Sequence, residues 1–203
     1  MEDAASSIDE YIVNLAGKPR PKICLVSTAS GDHPGRRPLS SNVSPRRATA
    51  VHVSVQEVDP LGVEALTLLR EAALEAQQLY PEFHDPKAPG PTNQPTPPRG
   101  VYLVAFAGKE PVGMGAHRPL NSESSEVRRM FVSRQARGQG IARAILAQIE
   151  AHARAQGFTR LVLETGNRQL PAIRLYESSG FNRIPAFGNY AYDPTSVCFA
   201  KTL

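Results

Sequence analysis

The length and composition of the chain bound its class: its 203 residues, 41% of them apolar, suffice for one ordinary domain with an appendage, and no apolar run approaches the roughly 18 residues of a membrane span. The acidic start, MEDAASSIDEY, lacks the plan of a signal or transit peptide, so we expect a cytoplasmic protein that engages no membrane. The net charge of +4 is scattered and Trp is absent, which argues against a nucleic-acid partner, and the two cysteines, Cys24 and Cys198, are too few for a disulfide framework or a metal site.

Composition divides the chain into an appendage, residues 1–49, and a domain, residues 50–203. The appendage holds a helix-like run, SIDEYIVNLAGK, a strand-like run, KICLVSTAS, and a linker rich in Pro, Ser and Arg, residues 34–49. A lone helix and strand cannot build a core. We therefore expect residues 1–49 to be loosely ordered.

From residue 50 onward, strand and helix patterns alternate. VHVSVQEV predicts a half-buried strand because its valines recur at period two, and a helix is expected to open at Pro60. One face of that helix is predicted to carry Leu66, Leu69, Ala73 and Ala76. The proline-rich segment that follows predicts a long mobile loop, and VYLVAFAGKEPVGMGAH predicts a hairpin that turns at Gly108-Lys109.

The second half of the domain continues the alternation. SEVRRMFV predicts a strand, GQGIARAILAQIEAHARAQG a long amphipathic helix ending at Gly157, FTRLVLET a buried strand, and PAIRLYESSG a short helix. FNRIP and SVCFAKTL predict the last strands. This order predicts an α/β (α+β) sheet with helices packed on its faces.

A short turn carrying Arg137, Gly138 and Gly140 joins the strand that ends at Val132 to the long helix. Free N–H groups at a helix start favour an anion, and glycines let a phosphate approach the backbone. Arg137 can add a charged donor. Most glycine-bearing loops bind nothing, however, and neither G-K-[ST] nor G-x-G-x-x-G occurs here.

The spacing of this turn is more specific than its composition. Arg137-Gly-Gln-Gly140-Ile-Ala142 fits [QR]-x-x-G-x-[GA], and AIRLYESSGF, residues 172–181, follows on a later helix. With these two motifs, residues 51–203 resemble the GNAT superfamily of acyl-CoA-dependent N-acyltransferases. The resemblance implies a mixed, mostly antiparallel central sheet with a splayed pair of strands and helices on both faces. It also implies acetyl-CoA as co-substrate and no metal.

The resemblance further implies where acetyl-CoA binds. Its pantetheine arm would pair with the strand before the turn, where the Val132 N–H would be the oxyanion donor, and its pyrophosphate would lie on the turn. Gln169 stands where the superfamily commonly has an Asn that hydrogen-bonds the pantetheine arm. Because Gln carries the same amide group, cofactor binding is expected to survive this departure from the family pattern. The implied binding residues are Met130, Phe131, Val132, Arg137, Gly138, Gln139, Gly140, Ile141, Ala142, Gln169 and Ala172.

Two residues are candidates for proton transfer. Tyr176 holds the position from which the superfamily often protonates the departing thiolate; the alternative is a half-buried tyrosine that only packs. Glu126 is the best candidate base for the acceptor amine, directly or through a water; the alternative is a solvated glutamate at a strand start. Glu164 and His117 are weaker candidates for the base.

The acceptor is less well determined. Glu82, His84 and Asp85 lie in a loop that would face it, and they either attract a cationic amine or are solvated. We expect acetyl transfer to a primary amine of a small molecule by direct attack in a ternary complex, because the site motifs contain no cysteine. A protein lysine or N-terminus as acceptor, or a non-catalytic acyl-CoA-binding module, are the alternatives. A homodimer is left open.

The segment from Ser7 to Asp32 does not fit the acyltransferase pattern. Its helix, its GKPRPKIC run and its strand ending in TASGD resemble the opening of peptidase-E-like serine peptidases. The similarity stops at Asp32 and no G-x-S-x-G motif follows, so no peptidase activity is expected. A fusion remnant, a gene-model artefact and coincidence are the interpretations of this segment.

Overall fold

The computed structural model describes residues 53–203. The predictions for residues 1–49, which include the linker and the peptidase-like opening, lie outside the described residues, as does Val51 of the first predicted strand. Within residues 53–203 the chain forms a single seven-stranded sheet with three α-helices. These helices are too short or too polar to span a bilayer.

The elements follow the predicted order. The strands are β1 Val53–Glu57, β2 Val101–Ala107, β3 Glu110–Pro119, β4 Ser124–Val132, β5 Arg160–Gly166, β6 Asn182–Ile184 and β7 Ser196–Thr202. The helices are α1 Val63–Leu79, α2 Ile141–Ala155 and α3 Leu170–Ser178. Short 3₁₀ turns occupy Pro81–Phe83, Arg134–Ala136 and Gly188–Tyr192.

The sheet order is β1-β2-β3-β4-β5-β7-β6, and every described neighbouring pair is antiparallel except β4 and β5. The parallel pairing of β4 with β5 runs from Ser124↔Arg160 to Val127↔Leu163 and ends there. Both strands continue beyond this point, β4 to Val132 and β5 to Gly166. The predicted fold class, a mostly antiparallel sheet with a splayed pair of strands, is therefore confirmed.

Helices cover both faces of the sheet, and each face has its own core. On the face called here the α1 face, α1 buries small and aliphatic side chains against Tyr102, Met114 and Phe131. On the opposite face, called the α2–α3 face, α2 and α3 bury theirs against Leu103, Met130 and Leu163. Because strand side chains alternate, successive residues of β4 and β5 point to opposite faces.

The first helix starts later than predicted. It begins at Val63 rather than Pro60, because Asp59 forms a turn first: its backbone carbonyl accepts the Gly62 N–H at 2.9 Å and its side chain accepts the Leu61 N–H at 2.9 Å. Helical spacing alone does not register such a turn. The hairpin does turn at Gly108-Lys109 as predicted.

The proline-rich segment after α1 is held to the rest of the protein at Asn93. The Asn93 side chain is buried, and its amide donates to the Pro60 carbonyl at 3.0 Å and to the Tyr102 hydroxyl at 3.1 Å. The Arg129 Nε donates to the Asn93 Oδ1 at 2.9 Å. The segment predicted as a mobile loop is therefore anchored against the α1 side of the sheet.

Candidate active site

A cleft opens between β4 and β5 beyond the point where their pairing ends. It is bordered by residues 128–132 of β4 and 164–166 of β5. β4 also carries a bulge against β3, with Arg129 in the left-handed region at φ 60°. A bulge bends its strand, and a non-glycine residue at this φ is uncommon. The cleft is therefore bordered by the irregular part of β4, where the bulge changes the direction of the strand.

The turn after β4 forms an open cradle at the start of α2. Gly138 and Gly140 both have φ 76°, the left-handed region, and a Cβ built on either would meet no heavy atom within 4 Å. Gly140 immediately precedes α2, whose first backbone N–H groups lack intrahelical acceptors. This geometry fits an anion such as a pyrophosphate.

Arg137, at the start of this turn, contacts protein groups. Its Nε donates to the Val132 carbonyl at 2.9 Å, and its Nη2 donates to both carboxylate oxygens of Glu75 at 2.8 and 2.7 Å. Arg137 thereby joins the end of β4 to α1. Sequence reasoning expected the guanidinium beside the pyrophosphate and did not anticipate Glu75.

The junction of β5 and α3 contains buried polar atoms that lack a protein partner. Gln169 and Thr165 are each 1% exposed, and within residues 53–203 no hydrogen bond reaches the Gln169 Oε1, the Gln169 Nε2 or the Thr165 Oγ1. Thr165 lies opposite Val197, which packs on the α2–α3 face. Leaving such an atom unsatisfied costs about 1–3 kcal/mol. A ligand in the cleft would bond to the Gln169 amide once that side chain turns towards it, because both of its polar atoms are inaccessible in the described arrangement.

Tyr176 lies two turns after Gln169 on the same side of α3. It is 1% exposed, and its ring makes an edge contact with Phe181 at 5.8 Å and a tilted contact with Phe199 at 5.9 Å between centroids. The residue expected to be half-buried in the packing alternative is thus fully buried. Ala172, between Gln169 and Tyr176, is also buried and keeps this side of α3 slim.

Glu126 lies on the α1 face, one residue before Val127, where the pairing of β4 with β5 ends. It is 2% exposed and both carboxylate oxygens have partners: the Tyr190 hydroxyl donates to Oε1 at 2.6 Å, and the Arg118 Nε donates to Oε2 at 3.0 Å. The Arg128 Nη1 lies 3.7 Å from Oε2. Glu126 is therefore a buried carboxylate in a network, not a solvated residue at a strand start.

Glu164 and Cys198 lie on the same face, directly opposite each other on β5 and β7. The Ser196 hydroxyl donates to the Glu164 Oε1 at 2.8 Å. Burial raises the pKa of the Cys198 thiol to about 11, with Glu164 and Glu126 adding to the rise. At neutral pH Cys198 is a protonated thiol, a weak nucleophile. Cys198 is only 3% exposed.

His117, the third candidate base, belongs to the other face. The Ser125 hydroxyl donates to the Arg118 carbonyl, so it accepts from the His117 Nδ1–H at 2.7 Å, and the His117 Nε2 then accepts from the His152 Nδ1–H at 2.8 Å. Burial, with a smaller contribution from His152, lowers the pKa of His117 to about 4. His117 is a neutral, structural histidine away from Glu126.

The remaining residues implied by the resemblance differ in the exposure of their side chains. Five have buried side chains, so only their backbone is offered to a ligand: Met130, Phe131, Val132, Ile141 and Ala142. Gln139 is exposed. The three loop residues considered for the acceptor, Glu82, His84 and Asp85, are all exposed, and Glu82 pairs with Arg168 at 2.6 Å. The Arg168 hydrogen bond lowers the pKa of Glu82.

Sequence reasoning missed several residues at this site. Tyr190 and Arg118 bind Glu126, Glu75 binds Arg137, and Thr165 shares the buried junction with Gln169. Tyr190 had a weak signal, since it lies in a turn rich in aromatic residues near the last strand. Thr165 had one too: it is the polar residue that interrupts the buried alternation of β5 on the α2–α3 face. Within residues 53–203, no group of three His, Cys, Asp or Glu residues is placed to hold a metal.

Comparison with known proteins identifies the family. The model of the acetyltransferase (GNAT) family matches residues 68–181. The uncharacterised N-acetyltransferase YsnE of Bacillus subtilis is 36% identical over 52% of this chain and 72% of its own length. The IAA acetyltransferase of Azospirillum brasilense is 43% identical over 50% of this chain and 67% of its own length. A crystal structure from Klebsiella pneumoniae assigned as an acyl-CoA N-acyltransferase superposes with a TM-score of 0.62 at 31% identity, covering 75% of this chain and 99% of that one. The chain belongs to the GNAT family of acetyltransferases and is an enzyme that uses acetyl-CoA.

Proposed function

We propose that the enzyme transfers the acetyl group of acetyl-CoA to a primary amine of a small molecule, by direct attack in a ternary complex. One observation carries the proposal: polar groups able to bind a cofactor or an amine lie on both sides of the same cleft. The glycine turn and the unsatisfied Gln169 border its α2–α3 side, and Glu126 stands at its closed end on the α1 side. The donor and the acceptor amine would meet where β4 and β5 separate.

The residues present fit acetyl-CoA. The backbone N–H groups of residues 138–142 would hold the pyrophosphate, helped by the positive end of the α2 dipole. The β4 edge beyond Val127 would pair with the pantetheine arm, and the Gln169 amide would bond to it. When bound, acetyl-CoA supplies a thioester carbonyl that an amine can attack. The contact to Gln169 would satisfy a side-chain amide that has no partner within residues 53–203.

Proton transfer falls to the two candidates on opposite sides of the cleft. Glu126 would accept the amine proton, through a water that replaces one of its present partners, because both of its oxygens are hydrogen-bonded. The amine nitrogen then bonds to the acyl carbon while the carbon–sulfur bond breaks. The Val132 N–H would stabilise the charge that develops on the acyl oxygen, and the Tyr176 hydroxyl would protonate the departing thiolate.

Direct attack is favoured over an acetylated enzyme by the state of the nearby cysteine. Cys198 is buried, and its pKa of about 11 keeps it protonated. A protonated thiol does not compete with an amine as nucleophile. The acetyl group would therefore pass to the acceptor in one transfer.

A small-molecule acceptor is favoured by the charges on the α1 side. Glu126 is paired with Arg118, Glu82 with Arg168, and Glu75 with Arg137, so these carboxylates form no acidic wall for a lysine-rich protein segment. The Azospirillum relative is named IAA acetyltransferase. The acceptor amine would therefore be recognised by shape and by a few polar contacts.

Rapid-quench kinetics with radiolabelled acetyl-CoA test direct transfer. In the absence of acceptor, we expect no label on the intact protein. In the presence of an acceptor amine, Cys198→Ala is expected to retain the kcat of the wild type. A stoichiometric burst of labelled enzyme that disappears in Cys198→Ala would contradict direct attack. The same experiment in the presence of an amine shows whether label passes to the acceptor.

A further inference from the structure

The C-terminal half of α1 is tied to the turn after β4 by two of its glutamates. Ser133 donates its hydroxyl to the Glu71 carboxylate at 2.7 Å. Glu75 accepts both Arg137 contacts described above, and the Arg134 Nη2 lies 3.9 Å from it. Glu71 and Glu75 are one helical turn apart, so they face the same turn from one side of α1. This is the turn whose N–H groups form the anion cradle.

The pair of Arg137 and Glu75 has the geometry of a structural contact. Its side chains are only 20% and 15% exposed, and Arg137 is also fixed through its Nε to the Val132 carbonyl. Charge-assisted contacts of this kind are strong when partly shielded from water. For Arg137 to bind a pyrophosphate, it would have to give up a partner that is already in place.

The same helix is tied to the opposite side of the cleft at its C-terminus. The Arg168 Nη1 donates to the Leu79 carbonyl at 2.7 Å, and the Tyr80 hydroxyl accepts the Arg168 backbone N–H at 2.8 Å. Gly166 lies so close to the Tyr80 hydroxyl that any Cβ there would collide with it. α1 therefore contacts the loops that follow both β4 and β5, and spans the cleft between them.

We propose that Glu75 and Arg137 form a strut that positions α1 across the cleft, so that Arg137 acts as a positioning residue and not as a ligand of the pyrophosphate. The strut fixes α1, which borders the cleft on the α1 face (called here the α1-side groove), relative to the turn after β4 (called here the cofactor turn), and so couples acceptor binding to the acetyl-CoA site. The coupling to the acceptor rests on the proposed function. The assignment of Arg137 to Glu75 does not.

A double-mutant cycle tests the strut. Glu75→Met, Arg137→Met and the double variant are compared with Glu64→Met and Arg70→Met, which remove the same charges elsewhere on α1. The first measurement is the dissociation constant of CoA by calorimetry. The second is the midpoint of thermal unfolding without ligand. Neither requires an acceptor, so a failure of the proposed function leaves both interpretable.

The strut predicts that Glu75→Met and Arg137→Met change the dissociation constant of CoA by the same factor, to within about twofold, and that the double variant is no worse than either. Arg137→Met weakening CoA binding by about tenfold or more, with Glu75→Met unchanged or tighter, overturns it, because a free Arg137 would then bind the anion. If a methionine variant does not fold, Glu75→Ala and Arg137→Ala provide the same comparison.

The coupling has its own readout once an acceptor is known. At saturating acetyl-CoA, the strut predicts that both single variants raise the KM for the acceptor by similar factors while kcat changes less, because α1 borders the groove but does not touch the reacting atoms. Arg137→Gln, which can still donate to Glu75, is expected to recover part of the KM lost in Arg137→Met. An unchanged acceptor KM in both single variants contradicts the coupling.

Discussion

At the scale of single residues, Gln169 bears most directly on the presence of a ligand. A carboxamide that is 1% exposed with neither polar atom bonded to the described protein is an unfavourable arrangement for a ligand-free fold. Thr165 repeats the pattern four residues earlier. Two such side chains at one end of the cleft are explained most simply by a polar ligand that completes them.

Replacing Gln169 by Leu separates folding from binding. Without ligand, we expect Gln169→Leu to raise the free energy of unfolding by about 1–2 kcal/mol, because it removes buried unsatisfied atoms at similar volume. The dissociation constant of CoA is expected to rise about tenfold, since a charge-free hydrogen-bond pair is lost. Urea unfolding and calorimetry give the two values.

Gln78→Leu is the matched control for that change, because Gln78 is exposed on α1. It should leave CoA binding unchanged. A loss of stability in Gln169→Leu without any loss of CoA affinity would show that Gln169 is satisfied within the fold, and would remove it from the binding site.

His117 makes the stability of the fold depend on pH. Its pKa is lowered from 6.5 to about 4 by burial beside His152, so between these values the unfolded chain binds a proton that the folded chain does not. Stability is therefore full above about pH 6.5 and is lost as the pH falls through this window. Between pH 7 and 5 we expect His117 to contribute a loss of about 2 kcal/mol.

Urea unfolding of the wild type and of His117→Gln at pH 7, 6 and 5 measures this contribution. The variant is expected to start less stable, since the bonds to Ser125 and His152 are changed, but to lose less stability as the pH falls. Equal losses in the two proteins would contradict the assignment. His152→Gln, which keeps the buried imidazole, should retain most of the pH dependence.

The candidate proton-transfer residues could be located from the sequence, but their surroundings could not. Tyr176 follows from its position in a motif, and Glu126 from its place at the start of the strand before the turn. The partners of Glu126 lie 8 residues away at Arg118 and 64 residues away at Tyr190, and only the closed sheet and the last turn bring them together. Contacts of such sequence separation leave no periodic signal in a single chain.

Among the elements, α2 packs directly against Gly115 of the sheet. A Cβ built on Gly115 of β3 would come within 2.5 Å of the Ile145 Cγ2 and 2.6 Å of the Met130 Sδ. Interiors of this density do not absorb an extra methyl group without displacement. Gly115 therefore sets the distance of α2 from β3, and with it the position of the anion cradle at the start of α2.

The change Gly115→Ala tests that packing. We expect it to lower the free energy of unfolding by about 1–3 kcal/mol in urea denaturation, because Ile145 and Met130 must shift to admit the methyl group. Gly90→Ala is the control, since a Cβ at Gly90 meets nothing within 4 Å. A Gly115→Ala variant as stable as Gly90→Ala would show that α2 is free to move away.

Most elements were predictable, and the exceptions have physical causes. Strongly periodic segments such as α2 appear where expected, with Ile145, Leu146 and Ile149 buried. The start of α1 was misplaced because the Asp59 turn precedes it. The bulge at Arg129 was not predicted, because nothing in the alternation of β4 marks a residue in the left-handed region.

For the molecule as a whole, the sheet defines the cleft in which the two substrates are proposed to meet. The pairing of the parallel strands β4 and β5 ends at Val127 and Leu163. The cleft beyond this point lies between the turn after β4 and the loop after β5. The family motifs made this separation predictable, because the resemblance implies it. The acceptor was not predictable from them, since α1 and the loops around it, which are proposed to contact the acceptor, lie largely outside both motifs.

Acetyl transfer to a small amine is tested by the release of CoA, coupled to detection of the N-acetylated product, across a panel of small primary amines. We predict that at least one amine yields CoA and N-acetyl product in equal amounts, and that Tyr176→Phe lowers kcat by about 10²-fold while the dissociation constant of acetyl-CoA changes little. Tight binding of acetyl-CoA with no product from any amine, or turnover only on proteins or peptides, would contradict the account.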